Sequence, residues 1–224
     1  MRRKLFNTTM IIVDCVDVNL ALYALLYSSR GIECEKSKLF SDILPNNLPE
    51  NVEFIKISKI NSLDEYSKFM VNVLPDYIDT EYCLVVQSDG IIINPNLWNN
   101  NFFKYDYIGA PWTPDSFFLT QGVRVGNGGV SLRTLKLMKF AQSFKCRGAE
   151  DVFLCVELKK QCDDLGIKFA PVELAKVFSC EIPCQEHDSM DIETDCFAIH
   201  GKYHTPLHMR LLGNMRAEYS LDML

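Results

Sequence analysis

The chain has 224 residues, 48% of them apolar and 23% charged, with 23 Lys and Arg against 29 Asp and Glu for a net charge of −6. That composition supports a substantial core and excludes a disordered chain or a coiled coil. The acidic balance has the wrong sign for the phosphate neutralisation that dominates nucleic-acid affinity, so nucleic acid is not an expected partner.

Met10 to Val13 is a short apolar run that reads as a buried strand, and Leu20, Ala24 and Tyr27 follow at helical spacing before Gly31. Lys38 to Phe40 and Val52 to Ile57 are the next strands, and Ser62 or Asp64 caps a helix reaching about Leu74, ahead of Pro75. Tyr82 to Val86 is a central buried strand that stops abruptly at Gln87-Ser88-Asp89-Gly90. Trp98, Phe102, Phe103, Tyr105, Tyr107 and Trp112 crowd a stretch around Gly109 and Pro111 that reads as short strands and loops. Val123 to Val125 and Val130 to Leu132 are expected strands on either side of Gly126-Asn127-Gly128-Gly129. Helices are expected over Leu135 to Phe144, from Glu150 to Gly166 and over Val172 to Phe178, with strands at Ile167 to Ala170 and Cys196 to Ile199. Strands alternating with helices in the first half imply one α/β domain, a mostly parallel sheet covered on both faces, with a more mixed second half.

Nine cysteines, an odd number, with no secretory signal at the start, imply free thiols and a cytoplasmic protein. No run of about 20 apolar residues exists, so no transmembrane segment is expected.

Ligands of an open α/β sheet gather at the carboxyl ends of its strands. The positions just past the apolar runs hold Asp14, Asp17, Asp89, Asn127 and His200, a set suited to a divalent cation and a phosphorylated ligand. Asp17 also has the ordinary reading of a helix cap. The glycine run lacks the dinucleotide spacing and precedes a strand, and Arg133 stands where a nucleophile elbow needs its second glycine, which sets those activities aside. Cys180, Cys184, Cys196 and His200 have a spacing compatible with a zinc-containing interaction module, and that alternative stays open.

The order Gln87-Ser88-Asp89-Gly90, Tyr107-Ile108-Gly109-Ala110-Pro111-Trp112, Gly126-Asn127-Gly128-Gly129-Val130-Ser131-Leu132-Arg133, Glu150-Asp151-Val152-Phe153 and His200-Gly201 resembles a poorly characterised glycosyltransferase-like family with the GT-A nucleotide-sugar transferase core. The resemblance spans about residues 10 to 201. It implies a single GT-A-like domain over 1–224, with a nucleotide-binding half to about residue 95 and an acceptor and catalytic half from about 96. It further implies transfer of a sugar, with inversion, from a nucleotide-diphosphate sugar to a hydroxyl on a glycan, protein or lipid-linked acceptor, with Mn²⁺ or Mg²⁺ as cofactor. By the same resemblance Asp89 and His200 hold the metal, and Asp151 is the base with Glu150 in support. Asp14, Asp17, Ser88, Asp89, Gly128 and Gly129 bind the donor, and Trp112 and Asn127 lie on the acceptor side. Trp112 and the Phe117-Phe118 pair also have the plain reading of core residues. The first carboxylate of the family's DxD metal motif is replaced by Gln87, which keeps open a catalytically silent sugar or nucleotide-sugar binding protein on the same fold.

Overall fold

A computed structural model describes residues 2–116 and 122–219, the side chains of 214–219 excepted. A six-stranded sheet runs in the order β3-β2-β1-β4-β7-β6, formed by β1 (Arg3–Val13), β2 (Ile32–Ser41), β3 (Glu53–Lys56), β4 (Tyr82–Val85), β6 (Tyr107–Ile108) and β7 (Ser131–Thr134). β1 to β4 are parallel, and β7 is antiparallel to both β4 and β6. A second sheet, β5-β9-β8, joins β5 (Gly90–Ile92), β9 (Ala198–His200) and β8 (Ser179–Cys180). The expected mostly parallel sheet with a mixed second half is what the chain forms.

Alternation along the strands sends side chains to opposite faces, so a central strand covered on both sides must be apolar at every position. Met10 and Ile12 of β1, Leu39 of β2 and Leu84 of β4 enter a core shared with α1 (Val18–Ser29). Their neighbours Ile11, Val13, Phe40, Cys83 and Val85 enter another with Phe69, Met70 and Leu74. That second face is covered by α2 (Leu63–Lys68), a π-helical turn Phe69–Val73, a 3₁₀ turn Leu74–Tyr77 and α3 (Leu135–Gln142). α4 (Glu150–Val152), a second π turn Phe153–Glu157 and α5 (Lys159–Asp164) follow, then α6 (Val172–Phe178), α7 (Ile192–Asp195) and α8 (Thr205–Tyr219).

Two expected strands are loops. Val125 makes only an isolated bridge to Pro111, whose missing N–H stops a ladder from extending. Ile167 to Ala170 makes one bridge, Phe169 to Tyr107, because β6 is only two residues long. The helices expected to reach Leu74 and to run from Glu150 to Gly166 are each interrupted by a π turn, and Pro75 sits in the 3₁₀ turn, where a missing N–H is tolerated. No helix among the described residues is long and apolar enough to cross a membrane.

Candidate active site

At the carboxyl ends of β1 and β4 a cavity of about 680 Å³ opens between Asp14, Lys59, Ser62, Tyr66, Gln87 and Ser88. Asp14 Oδ1 accepts from the Val16 and Asp17 amides at 2.7 and 2.9 Å, which fixes the loop leaving β1. Asp17 Oδ1 accepts from the Leu20 amide at 2.9 Å and caps α1. Asp17 is absent from the lining of this cavity, and its Oδ1 serves the α1 cap.

Gln87 and Gly90 exchange both backbone hydrogen bonds, at 3.0 and 2.9 Å, across the tight turn Ser88-Asp89. β5 leaves that turn antiparallel to β9 with Gly90 opposite His200, and the Gly201 amide donates to the Asp89 carbonyl at 2.9 Å. Sheet register therefore brings together two residues 111 positions apart, and His200 Nε2 stands 3.5 Å from Asp89 Oδ1. The ring holds the Asp89 carboxyl below the usual carboxylate range. Gln87 completes the cluster: its Nε2 donates to Tyr66 Oη at 2.7 Å, which orients Oε1 toward His200 Nε2, 3.0 Å away. On the far side of the ring, Nδ1 lacks a hydrogen bond and stands 4.0 Å from Glu181 Oε1.

Among the described residues no three of His, Cys, Asp and Glu group closely enough to hold a metal ion. With Gln87 counted, the cluster offers a carboxylate, an imidazole and an amide oxygen. Neighbouring donors around a divalent ion at about 2.1 Å stand roughly 3 Å apart, so separations of 3.0 and 3.5 Å fit Mg²⁺ or Mn²⁺ after a small adjustment.

The glycine loop packs against this cluster. A Cβ on Gly129 would overlap the His200 ring, and one on Gly128 would overlap the Glu150 carboxylate. Both glycines are thus required by close approach of protein side chains. Glu150 is 4% exposed and ion-paired at 2.8 Å with Arg133, itself 1% exposed. Arg133 also donates to Ser131 Oγ at 3.0 Å and to the Gly128 carbonyl at 3.3 Å. The second Glu150 oxygen, Oε2, is buried without a hydrogen bond.

Asp151 stands beside this pair at the start of α4, where Ala149 occupies the cap position and makes no side-chain cap. Its Oδ2 accepts from the Gly128 amide at 3.2 Å and its Oδ1 from the Val152 amide at 2.8 Å. Burial, then the Glu150 charge, push its pKa up to about 6 against the pull of those amides and of Arg133. A carboxylate so poised can take a proton near neutral pH, as a base requires.

The two acceptor-side expectations change. Trp112 is buried at 7% exposure, and its ring covers Gly126, where a Cβ would overlap it, so it forms no open stacking platform. Asn127 is 4% exposed and its Oδ1 accepts from the Gly129 amide at 3.2 Å, tying the glycine loop to itself. Phe117 and Phe118 lie outside the described residues. The zinc alternative falls as well: Cys184 Sγ meets His187 Nδ1 at 3.3 Å, Cys196 Sγ meets the Lys176 carbonyl at 3.3 Å, and His200 faces Gln87 and Asp89.

Tyr66, Arg133 and Glu181 escape the reading of the sequence. Arg133 lies within a quoted motif, but a buried arginine carries no local signal. Tyr66 sits on a helix face five residues beyond an exposed loop, and only the fold turns it toward Gln87.

The galactosyltransferase LgtC, in complex with donor and acceptor sugar analogs, is similar in structure at 12% identity, with a TM-score of 0.56 over 92% of this chain and 95% of that one. An active-site mutant of LgtC gives 0.57 over the same shares at 12% identity. The apo-form glycosyltransferase GlyE of Streptococcus pneumoniae gives 0.51 at 12% identity over 95% of this chain and 63% of that one. These likenesses establish the GT-A glycosyltransferase fold. No curated protein sequence matches the chain. Residues 50–200, well over half of the chain, match the family described as a protein of unknown function, DUF5672, and the protein belongs to that family.

Proposed function

We propose that the protein is a glycosyltransferase that moves a sugar from a nucleoside-diphosphate sugar to the hydroxyl of a glycan, protein or lipid-linked acceptor, with inversion. The observation that carries this reading is the dipeptide Gly128-Gly129. Asp151 is bound to the amide of the first residue, and the His200 ring, beside Asp89, lies against the second. A base with a raised pKa and a candidate cation site thus stand on adjacent residues. Displacement of a diphosphate from a sugar needs both, a proton acceptor for the attacking hydroxyl and compensation of the charge on the departing phosphates.

Asp151 takes the proton of the acceptor oxygen as that oxygen attacks the anomeric carbon, and the bond to the diphosphate breaks on the opposite face, which inverts the centre. Arg133 and Glu150 fix the loop and set the field at Asp151 without touching substrate. Asp14 and Ser88 contact the nucleoside in the strand-end cavity. Asp89, His200 and the Gln87 amide oxygen would hold a divalent cation, which would supply charge neutralisation for the leaving diphosphate. A neutral amide in place of a carboxylate leaves the site one negative charge short, so metal affinity depends more on the donor's own phosphates.

Screening UDP-, GDP- and dTDP-sugars with Mn²⁺ tests the reading. A true donor at 100 times its dissociation constant stabilises the fold by about 2.7 kcal/mol. That stabilisation disappears with EDTA and in Asp89→Ala, and turnover to an inverted product follows in the presence of an acceptor. Donor binding without turnover under any acceptor would replace the transferase with a nucleotide-sugar binding protein.

A further inference from the structure

Segment 56–60, at the end of β3, has a second concave side that the proposed reaction does not use. Lys59 and Ile60 line both the strand-end cavity and a separate cavity of about 770 Å³ behind α2. Four lysines, Lys56, Lys59, Lys68 and Lys145, face this second space against one acid, Glu65. Glu65 Oε2 is already committed to the Asn61 amide at 2.7 Å, and Lys68 is paired with Asp64 at 2.5 Å. Among the described residues Lys56, Lys59 and Lys145 have no carboxylate within ion-pair distance. In a chain of net charge −6, gathering unpaired cations around one hollow creates a local field opposite to that of the whole molecule.

The floor of the hollow is apolar: Ile57, Ile60, Phe69, Val73 and Tyr77. Val73 and Tyr77 are 40% and 38% exposed, so apolar surface is left in water there. Phe69, Asn72 and Val73 belong to the π turn, a rare local conformation that recurs at functional sites. Asn72 also builds the far wall. Its Nδ2 donates to the Phe144 and Gln142 carbonyls at 2.7 and 3.3 Å, and its Oδ1 accepts from the Cys146 amide at 3.3 Å. Those bonds hold the turn after α3 against the π segment and fix Lys145 at the rim.

We propose that this cavity is a second ligand site, for a phosphate ester carried on an apolar chain. The volume suits one small molecule, the ammonium groups suit a dianion, and the floor suits a hydrocarbon body. Either half of the ligand alone leaves half of the lining unmatched. The site does not depend on the transfer reaction proposed above, since none of its four lysines is assigned a part in it.

Three probes test the proposal on the full chain by titration calorimetry at low salt: monomeric dihexanoyl phosphatidate, inorganic phosphate, and phosphatidylcholine vesicles containing phosphatidate. The expected result is saturable binding of the monomeric amphiphile, about tenfold or more tighter than inorganic phosphate and weakening as salt rises. In the double variant Lys56→Glu, Lys145→Glu, both at exposed positions, that affinity falls by about tenfold or more with an unchanged melting temperature. Val73→Asp, also exposed, weakens the amphiphile and leaves inorganic phosphate unaffected. Equal affinity for amphiphile and inorganic phosphate would remove the apolar half of the proposal. Binding to vesicles alone would make this a membrane-contact surface rather than a cavity for one molecule. An unchanged affinity in the double variant, or no saturable binding of the amphiphile, would overturn it outright.

Discussion

Asp14 with Asp17, and Glu150 with Asp151, are both pairs of acids at the entry to a helix, yet the fold uses them in opposite ways. Asp14 and Asp17 each give one oxygen, Oδ1, to local amides: Asp14 holds the turn and Asp17 caps α1. At α4 Glu150 turns inward to Arg133, and Asp151 is left in a buried field with its pKa raised to about 6. A helix-entry acid becomes chemically poised only when burial and a like charge oppose its ionisation. The acids are three residues apart before α1 and adjacent within α4, but neither spacing foretells burial, so the difference in their chemistry lies in tertiary packing.

The largest way to break the contrast is to unpair the inner acid. Arg133→Met leaves Glu150 as a lone buried charge and should cost about 3–5 kcal/mol of stability, read in urea unfolding at neutral pH. Replacing both, Arg133→Met with Glu150→Leu, should recover much of the loss, because two apolar groups need no solvation. A loss that stays below about 1 kcal/mol for Arg133→Met would mean that the pair is solvated in solution.

Asp151→Asn should lower turnover by about 10² or more, with little change in donor affinity, because a base acts in the transition state. The pH profile follows from the same shift. Turnover of the wild type should rise with pH through an apparent pKa near 6 and then level, since the carboxylate is the active form. Stability has the opposite sign: a folded pKa raised from 3.8 to about 6 stabilises the folded state below about pH 4, and this is lost as pH rises through 6. Above pH 6 the Asn variant should therefore be at least as stable as the wild type while nearly inactive. A variant that is both active and destabilised there would return Asp151 to a helix-end role.

Asp17→Ala tests the outer pair. Loss of the α1 cap should cost about 1 kcal/mol and leave donor binding intact. A fall in donor affinity at constant stability would restore Asp17 to the cavity.

How far the sequence carries depends on whether a residue's role follows from strand order or from burial. β4 and α6 are legible in the apolar runs, and strand-end position alone leads to Asp14 in the cavity lining and to Asp89; Ser88, which precedes Asp89 and which the family resemblance adds, does line the cavity. His200 is legible as the end of the last strand, although only the β5–β9 register brings it to Asp89. The family resemblance puts Trp112 and Asn127 on the acceptor side, Trp112 in a loop between Pro111 and Pro114 and Asn127 in the glycine run. That stretch instead folds under itself, and no local pattern distinguishes a buried loop from an open one. Arg133 was invisible as a partner for Glu150 for the same reason, since the pairing spans 17 residues and two elements.

The smallest effect concerns Tyr66, which holds the residue that departs from the expected metal motif, Gln87, in the proposed cation site. Gln87 cannot replace a carboxylate by charge, so it must do so by geometry, and its amide can point either end at His200. Tyr66 Oη accepts from Gln87 Nε2 at 2.7 Å and so holds the amide in place while Oε1 faces His200 Nε2 at 3.0 Å. Removing the hydroxyl in Tyr66→Phe costs one hydrogen bond, about 1 kcal/mol, and frees the amide to turn over. Mn²⁺ affinity, read by electron paramagnetic resonance with the donor nucleotide present, should weaken about five-fold, since 1 kcal/mol is that factor. Gln87→Glu should act the other way, because a carboxylate presents an oxygen in either orientation and adds a negative charge. In the Glu background Tyr66→Phe should then change Mn²⁺ affinity little. A merely structural tyrosine would give the same loss in both backgrounds, and equal losses would show that Tyr66 supports the fold rather than the orientation of residue 87.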